Sequence, residues 1–252
     1  MIPHQTQGTG EHRVIALHGW FGDRTAFAPL WPHLDESAFT YAFPDYRGYG
    51  EAKATPGEFT MAEIAGDVLS LADHLGWEHF SLVGHSMGGM AAQRVLADAP
   101  ERVRALVGVS PVPATGVPFD EQTWDLFSGA VDDPANRRAI IDMTTGGTLP
   151  GRWLDAMVAR SLACSTVEAF RDYLAAWVKT DFHSEIEGNT VPALAVVGGQ
   201  DPALSAEVMR ATWMTHYPNA RLEVLADAGH YAMDEAPLTL TARVESFLTA
   251  SG

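Results

Sequence analysis

The chain reads as an α/β protein: a mostly parallel central sheet with helices on both faces, interrupted once by a helical insertion. Three observations predict this. Short continuous apolar runs alternate with helix-like stretches through the first 111 residues, the pattern of strands buried on both faces. The alternation then lapses over residues 112–188 and resumes over 189–252. Finally, Gly84-His85-Ser86-Met87-Gly88-Gly89 sits between a strand-like and a helix-like run, the context of a tight strand-to-helix turn.

Taken in order, Arg13-Val14-Ile15-Ala16-Leu17-His18 reads as a buried strand, and Asp23 to Leu34 as a helix. Thr40-Tyr41-Ala42-Phe43-Pro44 is a second strand, ending in the glycine-rich loop Asp45-Tyr46-Arg47-Gly48-Tyr49-Gly50. Thr60 to Leu75 is an amphipathic helix, with Thr60 and Glu63 spaced as a capping box and Gly76 placed to close it. Phe80-Ser81-Leu82-Val83 leads into the glycine turn, and Met90 to Leu96 has helical spacing before Pro100. Arg104 to Ser110 is the next strand. The insertion carries helix-like segments rich in Trp, Phe, Met and Ile and no comparable strand. Pro192 to Gly198 and Arg221 to Leu225 are late strands, and a helix from about Thr239 to Leu248 closes the chain. The expected division is a core over 1–111, a helical cap over 112–188 and the rest of the core over 189–252.

Composition narrows the function. The 252 residues are 46% hydrophobic and 19% charged, suited to one large domain with an insertion. A formal net charge of −16 argues against nucleic acid and anionic membranes as partners. The single cysteine, Cys164, lies in an apolar context and reads as a small buried hydrophobe. No apolar stretch of about 18 residues suggests a membrane span, and Met1 to Thr6 lacks secretory character, so a cytoplasmic protein is expected.

The turn supplies chemistry. Glycines at 84 and 88 permit a tight bend that lifts Ser86 out of the sheet above the free N–H groups of the following helix. A serine hydroxyl needs a base, and the base needs an orienting acid. Among ten histidines, His230 alone occupies a glycine-flanked loop after a late strand, in Asp227-Ala228-Gly229-His230-Tyr231. Asp201 follows the preceding strand through Gly198-Gly199-Gln200, completing the chain order Ser86, Asp201, His230. An oxyanion needs two aimed donors: the Met87 N–H is one, and the Trp20 N–H in His18-Gly19-Trp20-Phe21-Gly22 the other, ahead of Phe21. Candidate pocket residues are Trp20, Phe21 and Tyr231 beside these, and Trp124, Phe127, Trp153, Met157 and Trp177 from the cap. Lysine and arginine are sparse near the expected pocket, Arg47 excepted.

These residues together resemble the α/β-hydrolase superfamily, on His18-Gly19, Asp45 to Gly50, Gly84 to Gly89, Asp201 and Gly229-His230. Within it the chain is similar to small bacterial carboxylesterases, enol-lactonases and the cofactor-free haloperoxidase or perhydrolase group; Trp177-Val178-Lys179-Thr180-Asp181-Phe182 resembles the cap exit of the last. Two departures matter. Members usually carry a longer N-terminal hairpin, so the first sheet strands here are expected to be short or missing. Members with epoxide hydrolase or haloalkane dehalogenase activity use aspartate where this chain has Ser86, which disfavours both activities. The resemblance implies a serine hydrolase of carboxylic esters with a small to medium apolar acyl group, no metal or organic cofactor, a small-molecule ester or lactone substrate, and a monomer or homodimer. The same triad also serves lactone opening, amide or carbon–carbon hydrolysis, perhydrolysis, a lyase reaction of the menaquinone pathway and, at slow turnover, hormone reception.

Overall fold

The computed structural model describes residues 1–251. It has a seven-stranded sheet in the order β1-β3-β2-β4-β5-β6-β7. The strands are β1 (His4–Gln7), β2 (His12–Leu17), β3 (Phe39–Pro44), β4 (Phe80–His85), β5 (Val103–Val109), β6 (Ala193–Gly198) and β7 (Ala220–Leu225). Only β1 runs antiparallel, pairing at the edge with β3. The short N-terminal edge inferred from the sequence is this four-residue strand.

The central strands are mostly apolar because both of their faces are covered. β4 and β6 are buried at every position, and β4 pairs in parallel with β2 and β5. One apolar cluster, with Leu82, Met90 and Leu106, lies on one face of the sheet. The other, with Val83, Val107 and Phe247, lies on the opposite face. Alternate residues of one strand thus serve two cores, which a period-two backbone requires.

Helices α1 (Met61–His74) and α2 (Met87–Asp98) cover one face. The Thr60 hydroxyl accepts from the Glu63 N–H at 3.1 Å. The Glu63 carboxylate reaches back beyond the cap, accepting from the Glu58 and Phe59 N–H groups. Gly76 ends the helix at φ +69°, the left-handed closure glycine favours.

One expected helix is absent. Between Asp23 and Leu34 the chain forms two short 3₁₀ turns, Arg24–Phe27 and Trp31–His33. Pro29 and Pro32 each lack an N–H, and their rings clash with the preceding turn, so no longer helix propagates.

Four helices lie between β5 and β6: α3 (Glu121–Gly129), α4 (Pro134–Thr144), α5 (Gly151–Cys164) and α6 (Val167–Lys179). Asp120, Asp133 and Thr166 cap α3, α4 and α6 through their side chains. Arg137 of α4 is buried without a carboxylate partner. Its guanidinium lies 3.7 Å from the Phe170 ring centre and donates to the Ala130 carbonyl and the Ser161 hydroxyl. Short helices α7 (Ala206–Ala211) and α8 (Trp213–His216) precede β7. Then α9 (Ala232–Glu235) and α10 (Pro237–Ala250) complete the chain, α10 extending past both ends of the expected helix. Among the described residues, no helix is long and apolar enough to cross a membrane.

Candidate active site

Ser86 stands between the end of β4 and the start of α2, at φ 53° and ψ −120°. This is a strained conformation for a residue with a side chain, costing about 1–3 kcal/mol. Close packing holds it. A Cβ on Gly84 would lie 2.3 Å from the Gly88 carbonyl oxygen, and one on Gly88 would lie 2.2 Å from that of Leu17. Neither contact is tolerable, so the turn closes only with glycine at both positions.

Asp201 and His230 meet beside it. The His230 Nδ1–H donates to Asp201 Oδ2 at 2.7 Å. The other oxygen, Oδ1, accepts from the Ala203 and Leu204 N–H groups at 2.9 and 3.2 Å. Burial of Asp201 opposes its charge, but His230 and these amides outweigh that and hold its pKa below the ordinary aspartate range. Ser86 and His230 line the same two cavities.

The main chain of His230 is pinned on every side. Its N–H donates to the Thr144 carbonyl at the end of α4, 3.0 Å away. Its carbonyl accepts from His85 Nε2 at 2.9 Å. The Glu235 carboxylate bridges the residues on either side, accepting from the Gly229 N–H at 2.7 Å and the Tyr231 N–H at 3.0 Å. Burial pushes the Glu235 pKa up, and burial lowers that of His85 to about 3, keeping its imidazole neutral. Neither residue stands out in the sequence. The regular signal is the spacing of Glu235 on a short helix just after His230.

The loop after β2 is held in the same manner. The His18 carbonyl accepts from the Tyr46 hydroxyl at 3.0 Å. The Gly19 carbonyl accepts from His18 Nδ1–H at 2.9 Å. The Trp20 carbonyl accepts from the Tyr49 hydroxyl at 2.9 Å. Three successive carbonyls are thus occupied away from the cavity, and the Trp20 N–H has no hydrogen-bond partner among the described residues. Met87 N–H is the first of α2 and has no carbonyl one turn back to bond. A Cβ on Gly19 would lie 3.3 Å from that of Ser86, so this loop runs against the serine. The motif Asp45 to Gly50 acquires a role here: its two tyrosines set the loop. Arg47 faces away, paired with Asp67 at 2.8 Å and Glu63 at 3.5 Å.

Two cavities meet at Ser86, both bordered by Trp20, Phe21, His230 and Tyr231. The larger, about 510 Å³, is apolar and includes Phe127 and Trp177. Val117, Phe119, Ile140 and Leu204 also line it, none of them singled out by sequence. The smaller, about 360 Å³, includes Met157. Two expected pocket residues lie elsewhere. Trp124 borders an outer groove, with the Lys179 ammonium 4.2 Å from its ring centre. Trp153 stands edge-on behind Tyr231, at 5.5 Å between ring centres. The expected scarcity of basic residues also needs correction: Arg160 of α5 lines the smaller cavity.

Fold and site together define a class. Residues 12–237 match the family described as alpha/beta hydrolase fold, and the chain belongs to it. Among curated relatives, the chain is 29% identical over 244 residues to a protein of Cupriavidus necator named dihydrolipoyllysine-residue acetyltransferase component of acetoin cleaving system; the match covers 93% of this chain and 63% of that one. It is 25% identical over 266 residues to the pimeloyl-[acyl-carrier protein] methyl ester esterase of Serratia marcescens, covering 98% of this chain and 97% of the relative. Among solved structures, an esterase from Exiguobacterium antarcticum superposes with a TM-score of 0.87 at 22% identity, covering 98% and 95% of the two chains.

Proposed function

We propose that the chain is a serine hydrolase of carboxylic esters, with a small to medium apolar acyl group seated in the larger cavity. The observation that carries this is the 2.7 Å bond from His230 to a buried, ionised Asp201, on the rim of cavities that also contain Ser86. Asp201 fixes the proton on Nδ1, leaving Nε2 free to take one. In this reading His230 removes the Ser86 proton as Oγ bonds to the substrate carbonyl carbon. The carbonyl oxygen gains charge facing the N–H groups of Trp20 and Met87. Collapse breaks the bond to the alcohol oxygen, which takes the proton from His230. Water, deprotonated by His230, then attacks the acyl-enzyme and releases the acid and Ser86.

The names of relatives lend support: a methyl ester esterase and a 3-oxoadipate enol-lactonase of Acinetobacter baylyi at 24% identity both imply acyl–oxygen cleavage. The test is hydrolysis of p-nitrophenyl acetate, butyrate and octanoate by the wild type and Ser86→Ala. The expected loss in the variant is about 10⁴- to 10⁶-fold. Equal rates in the two proteins would remove Ser86 as nucleophile, and an inert wild type would remove the ester reading.

A further inference from the structure

The smaller cavity has charged side chains, an arginine and an aspartate, that the larger one lacks. Arg160 and Asp234 both line it, together with Gly19, Gly22 and Ser86. Only one terminal nitrogen of Arg160 is engaged: Nη2 donates to the Thr25 hydroxyl at 2.7 Å and lies 3.6 Å from Asp23 Oδ1. Nη1 and Nε have no protein partner among the described residues, and the side chain is 27% exposed. Asp234 is the complementary half. It lines the same cavity and is half-buried, and among the described residues its carboxylate accepts no hydrogen bond, so its acceptor positions are unused.

We infer that Arg160 and Asp234 form a subsite for a hydroxyl group on the alcohol portion of the substrate. The preferred ester therefore joins an apolar acid to a hydroxylated alcohol. This rests on the ester-hydrolase reading above. A hydroxyl both accepts and donates, which matches a free guanidinium N–H and a free carboxylate oxygen on the wall of one cavity. A carboxylate would pair with Arg160 but meet both Asp23 and Asp234, in a chain already at −16. An alkyl group would leave both half-buried polar groups without a ligand partner. Because the larger cavity is lined by Phe119, Phe127, Ile140 and Trp177, it takes the acyl group. The alcohol is left to the polar side.

The test compares kcat/KM for 2,3-dihydroxypropyl hexanoate, propyl hexanoate and carboxymethyl hexanoate in the wild type, Arg160→Met, Arg160→Lys and Asp234→Asn. The readout is the ratio between esters within each protein, in which a general loss of fold or chemistry cancels. The wild type is expected to favour the dihydroxypropyl ester about 10- to 100-fold over the propyl ester. Arg160→Met should bring that ratio near one, Arg160→Lys should restore part of it, and Asp234→Asn should lower it. An unchanged ratio in Arg160→Met, or a wild type that favours the propyl or the carboxymethyl ester, overturns the subsite. Should no ester be turned over, the reaction reading fails while the subsite is still decided: calorimetric titration of Ser86→Ala should show tighter binding of the dihydroxypropyl ester than of the propyl ester, and Ser86→Ala/Arg160→Met should not. Equal affinities for the two esters in Ser86→Ala would reject it.

Discussion

The two sides of the site are built by different means. On the core side, main-chain groups are tied individually: three carbonyls of the loop after β2 and four groups around His230 each have a named partner. On the cap side, the wall is rings against rings. Phe127 lies 4.6 Å from Phe119 and 5.9 Å from Trp177 between ring centres, and Trp20 stacks on Phe170 at 4.0 Å. Hydrogen bonds fix direction and tolerate little displacement, whereas apolar packing fixes volume and tolerates exchange of similar shapes. Core substitutions should therefore act on turnover, and cap substitutions on substrate choice.

The sharpest way to break this contrast is Asp201→Asn. The Ala203 and Leu204 amides hold the oxygen side of the new amide, so its NH₂ is left facing His230 Nδ1. That moves the imidazole proton to Nε2, the atom that accepts from Ser86 in the proposed reaction. A drop in kcat of about 10⁴-fold with little change in KM is expected. A loss below tenfold would mean that the Asp201–His230 bond has no part in the chemistry. The depressed pKa of Asp201 also sets a sign for stability. Its contribution is present above the ordinary aspartate range and is lost only as pH falls through the lowered value.

Glu235 offers a smaller effect on the same side. Its pKa is raised by burial, so its contribution to stability is full below the ordinary glutamate range and declines as pH rises through the raised value. Activity runs the other way, because only the carboxylate offers an acceptor to both the Gly229 and Tyr231 amides. Glu235→Gln, which offers one acceptor oxygen, should lower kcat about tenfold at neutral pH. The gap from the wild type should close as acid neutralises Glu235. A gap that stays constant with pH would show that Glu235 acts only through folding.

The same contrast explains what was legible in the sequence. Ser86, Asp201 and His230 stand out because strand ends, glycines and chain order are local signals, each visible within a few residues. The strands were equally plain, since β6 is apolar at every position and β4 is apolar but for Ser81 and His85. The Asp23–Leu34 helix failed because Pro29 and Pro32 outweigh an apolar period. Tyr46, Tyr49, His85 and Glu235 were not assigned their roles, because each acts on a main-chain atom that the fold alone brings near. Cap side chains were least legible. Trp124 and Phe127 lie three residues apart on α3, yet one borders an outer groove and the other the inner cavity.

That pair gives the finest test of the comparison. Phe127 is 7% exposed and fills the inner cavity wall, while Trp124 lies under Lys179 outside it. Phe127→Leu should enlarge the acyl cavity and shift the optimum of the p-nitrophenyl ester series by about one or two methylenes, each worth about 0.8 kcal/mol or roughly fourfold in kcat/KM. Trp124→Leu removes a larger ring at the same helical level and should leave the chain-length profile within about twofold, because its contact with Lys179 at the surface is worth little. If the two substitutions moved the profile equally, the outer groove would be part of the acyl path. The cap would then select substrate along its full depth rather than at the inner wall.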